Sequence, residues 1–245
     1  MEQIKSEMTA LRLSGMAETF KTLQESRKMQ ELSLLDGLKI LLQGERDQRE
    51  TRRYARLLKN ATFRYQATLE EVSFDASRGV NKTQILSLAT GSYIRGGESI
   101  LITGATGCGK SFIATSFGYQ ACKQGFSVNY FSMQKLMAKI KIARIEGVMM
   151  RFFEKLAKTD LLIFDDFGIG SMDNQQQQDF MEIIEDRHAR KATIIASQLP
   201  PANWFELFTD ETIADAFMDR IIHTSHRIEL TQLVFNKDVS RSSSV

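Results

Sequence analysis

Apolar residues fall along this chain in two rhythms, and the change between them near residue 66 divides it. Before that point they recur three and four apart. Met16, Phe20 and Leu23 follow a break at Ser14-Gly15, and Leu34, Leu35, Leu38, Leu41 and Leu42 make one face behind Ser33, a helix-capping residue. The pattern predicts a small all-helical N-terminal domain over residues 1–66. Beyond it come short apolar runs near 98–103, 127–132, 161–165, 193–197 and 226–230, with helical spacing over 133–144, 174–190 and 212–222. Runs that are apolar throughout suit strands buried on both faces of a parallel sheet. Strands and helices in alternation fold as βαβ units, so the expected class is α/β, with a five-stranded parallel sheet flanked by helices over residues 67–231. Residues 232–245, ending Ser242-Ser243-Ser244-Val245, read as a flexible tail.

The first strand runs into Gly104-Ala105-Thr106-Gly107-Cys108-Gly109-Lys110-Ser111, and Phe112 opens the helix behind it. That is the G-x-x-x-x-G-K-[ST] phosphate-binding pattern in its required setting, strand before and helix after. Glycines let the backbone curl, and the N–H groups at the helix start make an anion nest for the phosphates of ATP. Lys110 can reach the β- and γ-phosphates, and the Ser111 hydroxyl can bind Mg²⁺. The third strand ends in Asp165-Asp166. Carboxylates there arrive at the sheet edge where α/β folds bind ligands. Asp165 is expected to hold Mg²⁺ with Ser111, and Asp166 to polarise the water that attacks the γ-phosphate. Gln198, at the end of the fourth strand, either bonds the γ-phosphate or is an ordinary polar residue at a strand exit. Residues near Phe74 to Ile85 are candidates for the base pocket.

A net charge of +2 leaves any nucleic-acid binding to local patches. One such patch is the helical stripe of Arg49, Arg52, Arg53 and Arg56, followed by Lys59. It suits the backbone of a nucleic acid, and equally a solvated face laced by pairs such as Arg46–Glu50. Lys135 and Lys139 pose the same choice. Two cysteines, Cys108 and Cys122, make no disulfide framework, and the simplest expectation is a reduced, cytoplasmic protein with no membrane span. His188, His223 and His226 share no metal-like spacing.

Taken in order, these motifs resemble the AAA+ ATPases of the IstB/DnaC group, over nearly the whole chain. The resemblance rests on Leu13-Ser14-Gly15-Met16-Ala17, the run 45–56, Arg78-Gly79-Val80, the loop 104–111 and residues 161–168. It rests also on Glu185-Asp186-Arg187, residues 193–200 and Ala214-Asp215-Ala216-Phe217-Met218-Asp219-Arg220. It implies a P-loop AAA+ fold and a homo-oligomer with ATP sites between subunits. It also implies assembly on double-stranded DNA and help to a cognate transposase. By the same match Gln198 resembles the sensor-1 residue, and Arg220 the arginine finger that reaches a neighbour's γ-phosphate. Asp166 stands where most AAA+ proteins have Glu, and its shorter side chain predicts slow turnover. Too few residues follow Leu230 for a full C-terminal helical lid, and the ending lacks the basic Gly-Glu-Ser stretch associated with IstB. A DnaC-like helicase loader on single-stranded DNA is the alternative, and a small-molecule phosphotransferase a third reading without a visible acceptor site.

Overall fold

A computed structural model describes residues 2–26, 32–74, 79–222 and 225–231. Arg78, His223 and the tail expected over 232–245 lie outside the described residues. The chain forms two compact units, Met1–Leu57 and Leu58–Val245. The division precedes residue 66 because residues after Leu57 already pack on the second unit: the Phe63 ring stacks on Tyr119 at 4.8 Å.

The first unit is helical, as its periodicity predicts: α1 (Glu2–Ala10), α2 (Ser14–Glu25) and most of α3 (Leu34–Ala61). Ser33 caps α3, its hydroxyl accepting from the Asp36 N–H at 3.2 Å. The α2–α3 contact is set by Gly15. A Cβ there would lie 2.5 Å from the Gly44 carbonyl oxygen and 2.6 Å from Glu45 Cα, so only glycine admits the crossing. Glu45 exploits that closeness: one carboxylate oxygen accepts from the N–H groups of Gly15 at 2.7 Å and Met16 at 3.1 Å. A side chain of α3 thus supplies the cap that α2 lacks locally. The leucine face foreseen on α3 is real but open: Leu34, Leu35, Leu38 and Leu42 are all exposed.

In the second unit α4 (Lys82–Leu88) and α5 (Ser92–Gly96) precede β1 (Ser99–Gly104) and α6 (Lys110–Lys123). Then follow β2 (Val128–Ser132), α7 (Met133–Ile145), α8 (Met149–Lys158), β3 (Leu161–Phe167), α9 (Asn174–Arg187), β4 (Ala192–Ser197), α10 (Glu211–Ile222) and β5 (Ser225–Leu230). The strands form one sheet in the order β2-β3-β4-β1-β5, and every pairing is parallel. The five expected strands and the α/β class therefore stand. Helices α4 and α5 are too short to show a helical period, whereas α8 adds to the expected helices although Met149, Phe152, Phe153 and Leu156 repeat three and four apart. Residues 174–190 form a shorter helix than predicted: α9 ends at Arg187, and Ala189 takes φ 55°.

Alternation along the strands sorts the core onto two faces. Leu101, Phe131, Leu162, Phe164 and Ile195 join one cluster with Phe180 and Phe217 from the covering helices and Trp204 from the turns ahead of α10. Helix α6 packs on β1 through β4. Arg187 is 1 % exposed and donates to the carbonyls of Leu156, Thr159 and Ala192, tying the end of α9 to its neighbours. A buried guanidinium with each edge satisfied is structural here.

Candidate functional site

The loop 104–111 leaves β1 at the C-terminal edge of the sheet and enters α6 at Lys110. Gly104 takes φ 147°, and a Cβ there would lie 2.3 Å from the Leu230 carbonyl oxygen, so the end of β1 passes β5 this closely only without a side chain. The first N–H groups of α6 face the curl with no side-chain cap, as an anion nest requires. The Lys110 ammonium donates to the Ala105 carbonyl at 2.8 Å, folded onto its own loop.

Two other strands bring their ends to this loop. On β4, the Gln198 side-chain oxygen, just past the last residue, accepts from the Thr106 hydroxyl at 2.7 Å. On β3, Asp165 Oδ1 accepts from the Ser111 hydroxyl at 3.0 Å. The pairing of β3 with β4 slips between Phe164 and Phe167, and Asp166 takes φ 60° there. This bulge takes Asp165 and Asp166 out of register with β4, while Asp165 stays paired with Ser132 of β2, a feature that apolar patterning does not announce. The Asp166 N–H closes onto Asp165 Oδ1 at 2.9 Å. Burial, then the charge of Asp165, raises the Asp166 carboxyl above its ordinary value against the pull of Arg64 and Lys110.

Asp165 is 1 % exposed, and its second oxygen accepts from the Tyr130 phenol on β2. Burial first, then that bond and the charge of Asp165, push the phenol well above its usual range, so it stays a donor. Tyr130 was not foreseen, because nothing in its local sequence marks it. Ser111 and Asp165 form a pair of hard oxygen donors, the chemistry Mg²⁺ takes beside phosphates. No cluster of three or more His, Cys, Asp or Glu suited to a metal occurs among the described residues. His226 instead meets Glu98 at 2.7 Å, and the His188 ring meets the Arg220 carbonyl at 3.2 Å.

Beside the loop a cavity of about 220 Å³ is lined by Val72, Ser73, Val80, Cys108, Phe112 and Ile113. Of the stretch from Phe74 to Ile85 expected to hold the base, Val80 alone among the described residues lines it, and the other walls come from residues 71–73 and from the loop and α6. A second cavity of about 420 Å³ touches Asp166, Ser132, Gln134, Lys141 and Gln176.

Arg220 does not join this cluster in its own chain. Its guanidinium pairs with Glu185 on α9 and donates to the Ala216 carbonyl at 3.1 Å. Among the stripe residues, Arg49 is tied to Glu45 at 2.6 Å, an i,i+4 pair of the kind weighed for this face with Arg46–Glu50 as the example. Arg52, Arg53, Arg56 and Lys59 are exposed on α3. On α7, Lys135 is exposed and the Lys139 ammonium stands 5.0 Å over the Phe131 ring.

Residues 6–242 match the family model of the IstB-like ATP binding protein. A Sinorhizobium fredii protein named as an insertion sequence ATP-binding protein is 35 % identical over 236 residues, covering 96 % of each chain. The ATP-binding protein named for insertion sequence IS1162 of Pseudomonas fluorescens is 36 % identical over 196 residues, 80 % of this chain and 85 % of that one. Among solved structures, the DnaC helicase loader superposes with a TM-score of 0.54 at 17 % identity, over 71 % of this chain and 98 % of that one. DnaI gives 0.57 at 18 %, over 68 % and 92 %, so both share the AAA+ fold. With a phosphate loop on that fold and a match running almost end to end, the chain belongs to the IstB-like ATP-binding protein family.

Proposed function

We propose that this protein is a Mg²⁺-dependent ATPase of the cytoplasm that assembles on double-stranded DNA as a homo-oligomer and serves a transposase. The observation that carries the ATPase is the meeting of three strand ends at one loop, through Ser111–Asp165 at 3.0 Å and Thr106–Gln198 at 2.7 Å. Lys110 turns from the Ala105 carbonyl to the phosphates. Ser111 and Asp165 would hold Mg²⁺, which would supply positive charge against the phosphates. Asp166 takes a proton from the attacking water as the bond from the γ-phosphorus to ADP breaks, and its raised pKa suits a base. Gln198 orients that water or the γ-phosphate.

Arg220 of a neighbouring subunit completes the site. Its pairing with Glu185 keeps it from other anions in an isolated chain, and exchange of that carboxylate for a γ-phosphate links hydrolysis to assembly. The open leucine face of α3 supports self-association. Arg52, Arg53, Arg56 and Lys59, with Lys135 and Lys139, supply contacts to DNA phosphates, while Arg49 contributes less because Glu45 neutralises it. Relatives named for insertion sequences support the transposase as client.

A gel shift of duplex DNA with ATP, ADP or no nucleotide tests the reading. Retardation that needs ATP and weakens steeply with salt is expected. Absence of ATP-dependent retardation would end the proposal, and a clear preference for single strands would move it toward a helicase loader.

A further inference from the structure

The Asp165 carboxylate receives hydrogen bonds from three directions. Ser111 Oγ and the Asp166 N–H both donate to Oδ1, at 3.0 and 2.9 Å. These two belong to the phosphate loop and to the carboxylate pair itself. The third comes from the Tyr130 phenol, which donates to Oδ2.

The register of β2 against β3 explains how Tyr130 arrives there. Tyr130 lies opposite Ile163 and Ser132 opposite Asp165. Tyr130 and Asp165 therefore share a face, one diagonal step apart, a span that a tyrosine ring covers. The ring is 6 % exposed, and Phe63 stands edge-on to it at 6.2 Å between centroids. A hydroxyl on a packed aromatic ring has little freedom to leave, unlike one on a flexible chain.

We infer that Tyr130 is a positioning residue for the metal carboxylate, occupying Oδ2 so that Oδ1, on the Ser111 side, is the oxygen turned to the cation. The inference rests on the reading of the loop and Asp165 as an ATP and Mg²⁺ site. Mg²⁺ demands near-ideal octahedral geometry, so a ligand free to rotate binds it poorly. Partners behind a metal ligand fix that rotation, and their loss costs about 10–100-fold in metal affinity. Removal of the phenol leaves Oδ2 an acceptor without a donor in a buried space, and the carboxylate turns to satisfy it.

The test is Tyr130→Phe in the full chain, which keeps the ring and removes only the donor. Mn²⁺ is titrated against the protein–ADP complex by electron paramagnetic resonance, and fluorescent ADP is titrated in EDTA. A Mn²⁺ affinity weakened about tenfold, with metal-free ADP affinity within about twofold of wild type, is the expected result. Unchanged Mn²⁺ affinity overturns the inference, and so does an equal loss in both titrations, which marks general damage to the site. If Tyr130→Phe fails to fold by circular dichroism, Phe63→Leu takes its place. It loosens the ring behind Tyr130 and is expected to weaken Mn²⁺ a few-fold with ADP binding in EDTA unchanged; no change in Mn²⁺ affinity overturns the inference. Wild-type protein that binds neither ADP nor Mn²⁺ would sink the nucleotide site itself, whereas normal wild-type binding beside an unaltered variant sinks only the role of the tyrosine.

Discussion

Asp165 and Asp166 are adjacent in sequence but live in different surroundings. Asp165 is buried and triply hydrogen-bonded, whereas Asp166 sits half-buried on a bulge with its pKa raised. The roles proposed for them divide accordingly, one as ligand and the other as base. Asp166→Asn is expected to lower kcat by about 100-fold or more while leaving ADP affinity near that of wild type, read by steady-state kinetics beside a binding titration. Arg187 makes the opposite point. Its place in Glu185-Asp186-Arg187 looks like part of a functional motif, yet the guanidinium is spent on three backbone carbonyls. Arg187→Met is therefore expected to cost about 3 kcal/mol or more in urea unfolding, because the charge-assisted bonds to those buried carbonyls are lost.

Among elements, the phosphate loop and the five strands were legible because each is written in consecutive residues. A strand buried on both faces announces itself by composition, and the loop by its glycines and lysine. What stayed hidden depends on distant partners. Glu45 reads as one charge in a polar helix, and only the crossing at Gly15 reveals it as the cap of α2. Tyr130 reads as a core aromatic, and only the β2–β3 register brings it to Asp165. The open leucine face shows the converse, for periodicity located the apolar stripe on α3 but not what it meets. Glu45→Ala is expected to destabilise the N-terminal unit by about 1–2 kcal/mol, seen as faster hydrogen exchange at Gly15 and Met16. Burial raises the Glu45 pKa, but the Arg49 side chain and the Met16 and Gly15 N–H groups outweigh it and hold the value below the ordinary 4.5. A depressed folded-state pKa means the cap's contribution is full above about 4.5 and fades as pH falls through the lowered value. Glu45→Gln removes that pH dependence from exchange at the same two amides.

For the whole molecule, Arg220 is the residue whose surroundings within one chain do not explain the proposed activity. It pairs with Glu185 and makes no contact with the loop, so an isolated subunit is expected to bind ATP and turn it over slowly. Arg220→Ala should then retain nucleotide affinity and lose the stimulation that assembly on DNA brings, by roughly 10³-fold or more if the finger acts as in other P-loop enzymes. Lys110→Ala should lose hydrolysis for a different reason, the missing charge on the β- and γ-phosphates. The most direct test mixes these two variants in equal amounts on duplex DNA and measures phosphate release. Interfaces that join the intact loop of the Arg220→Ala chain to the intact finger of the Lys110→Ala chain are competent. Random assembly makes them about a quarter of the total, and activity should recover toward that fraction of wild type. A mixture as inactive as its components, or Arg220→Ala hydrolysing ATP at the wild-type rate on DNA, would contradict a site shared between subunits.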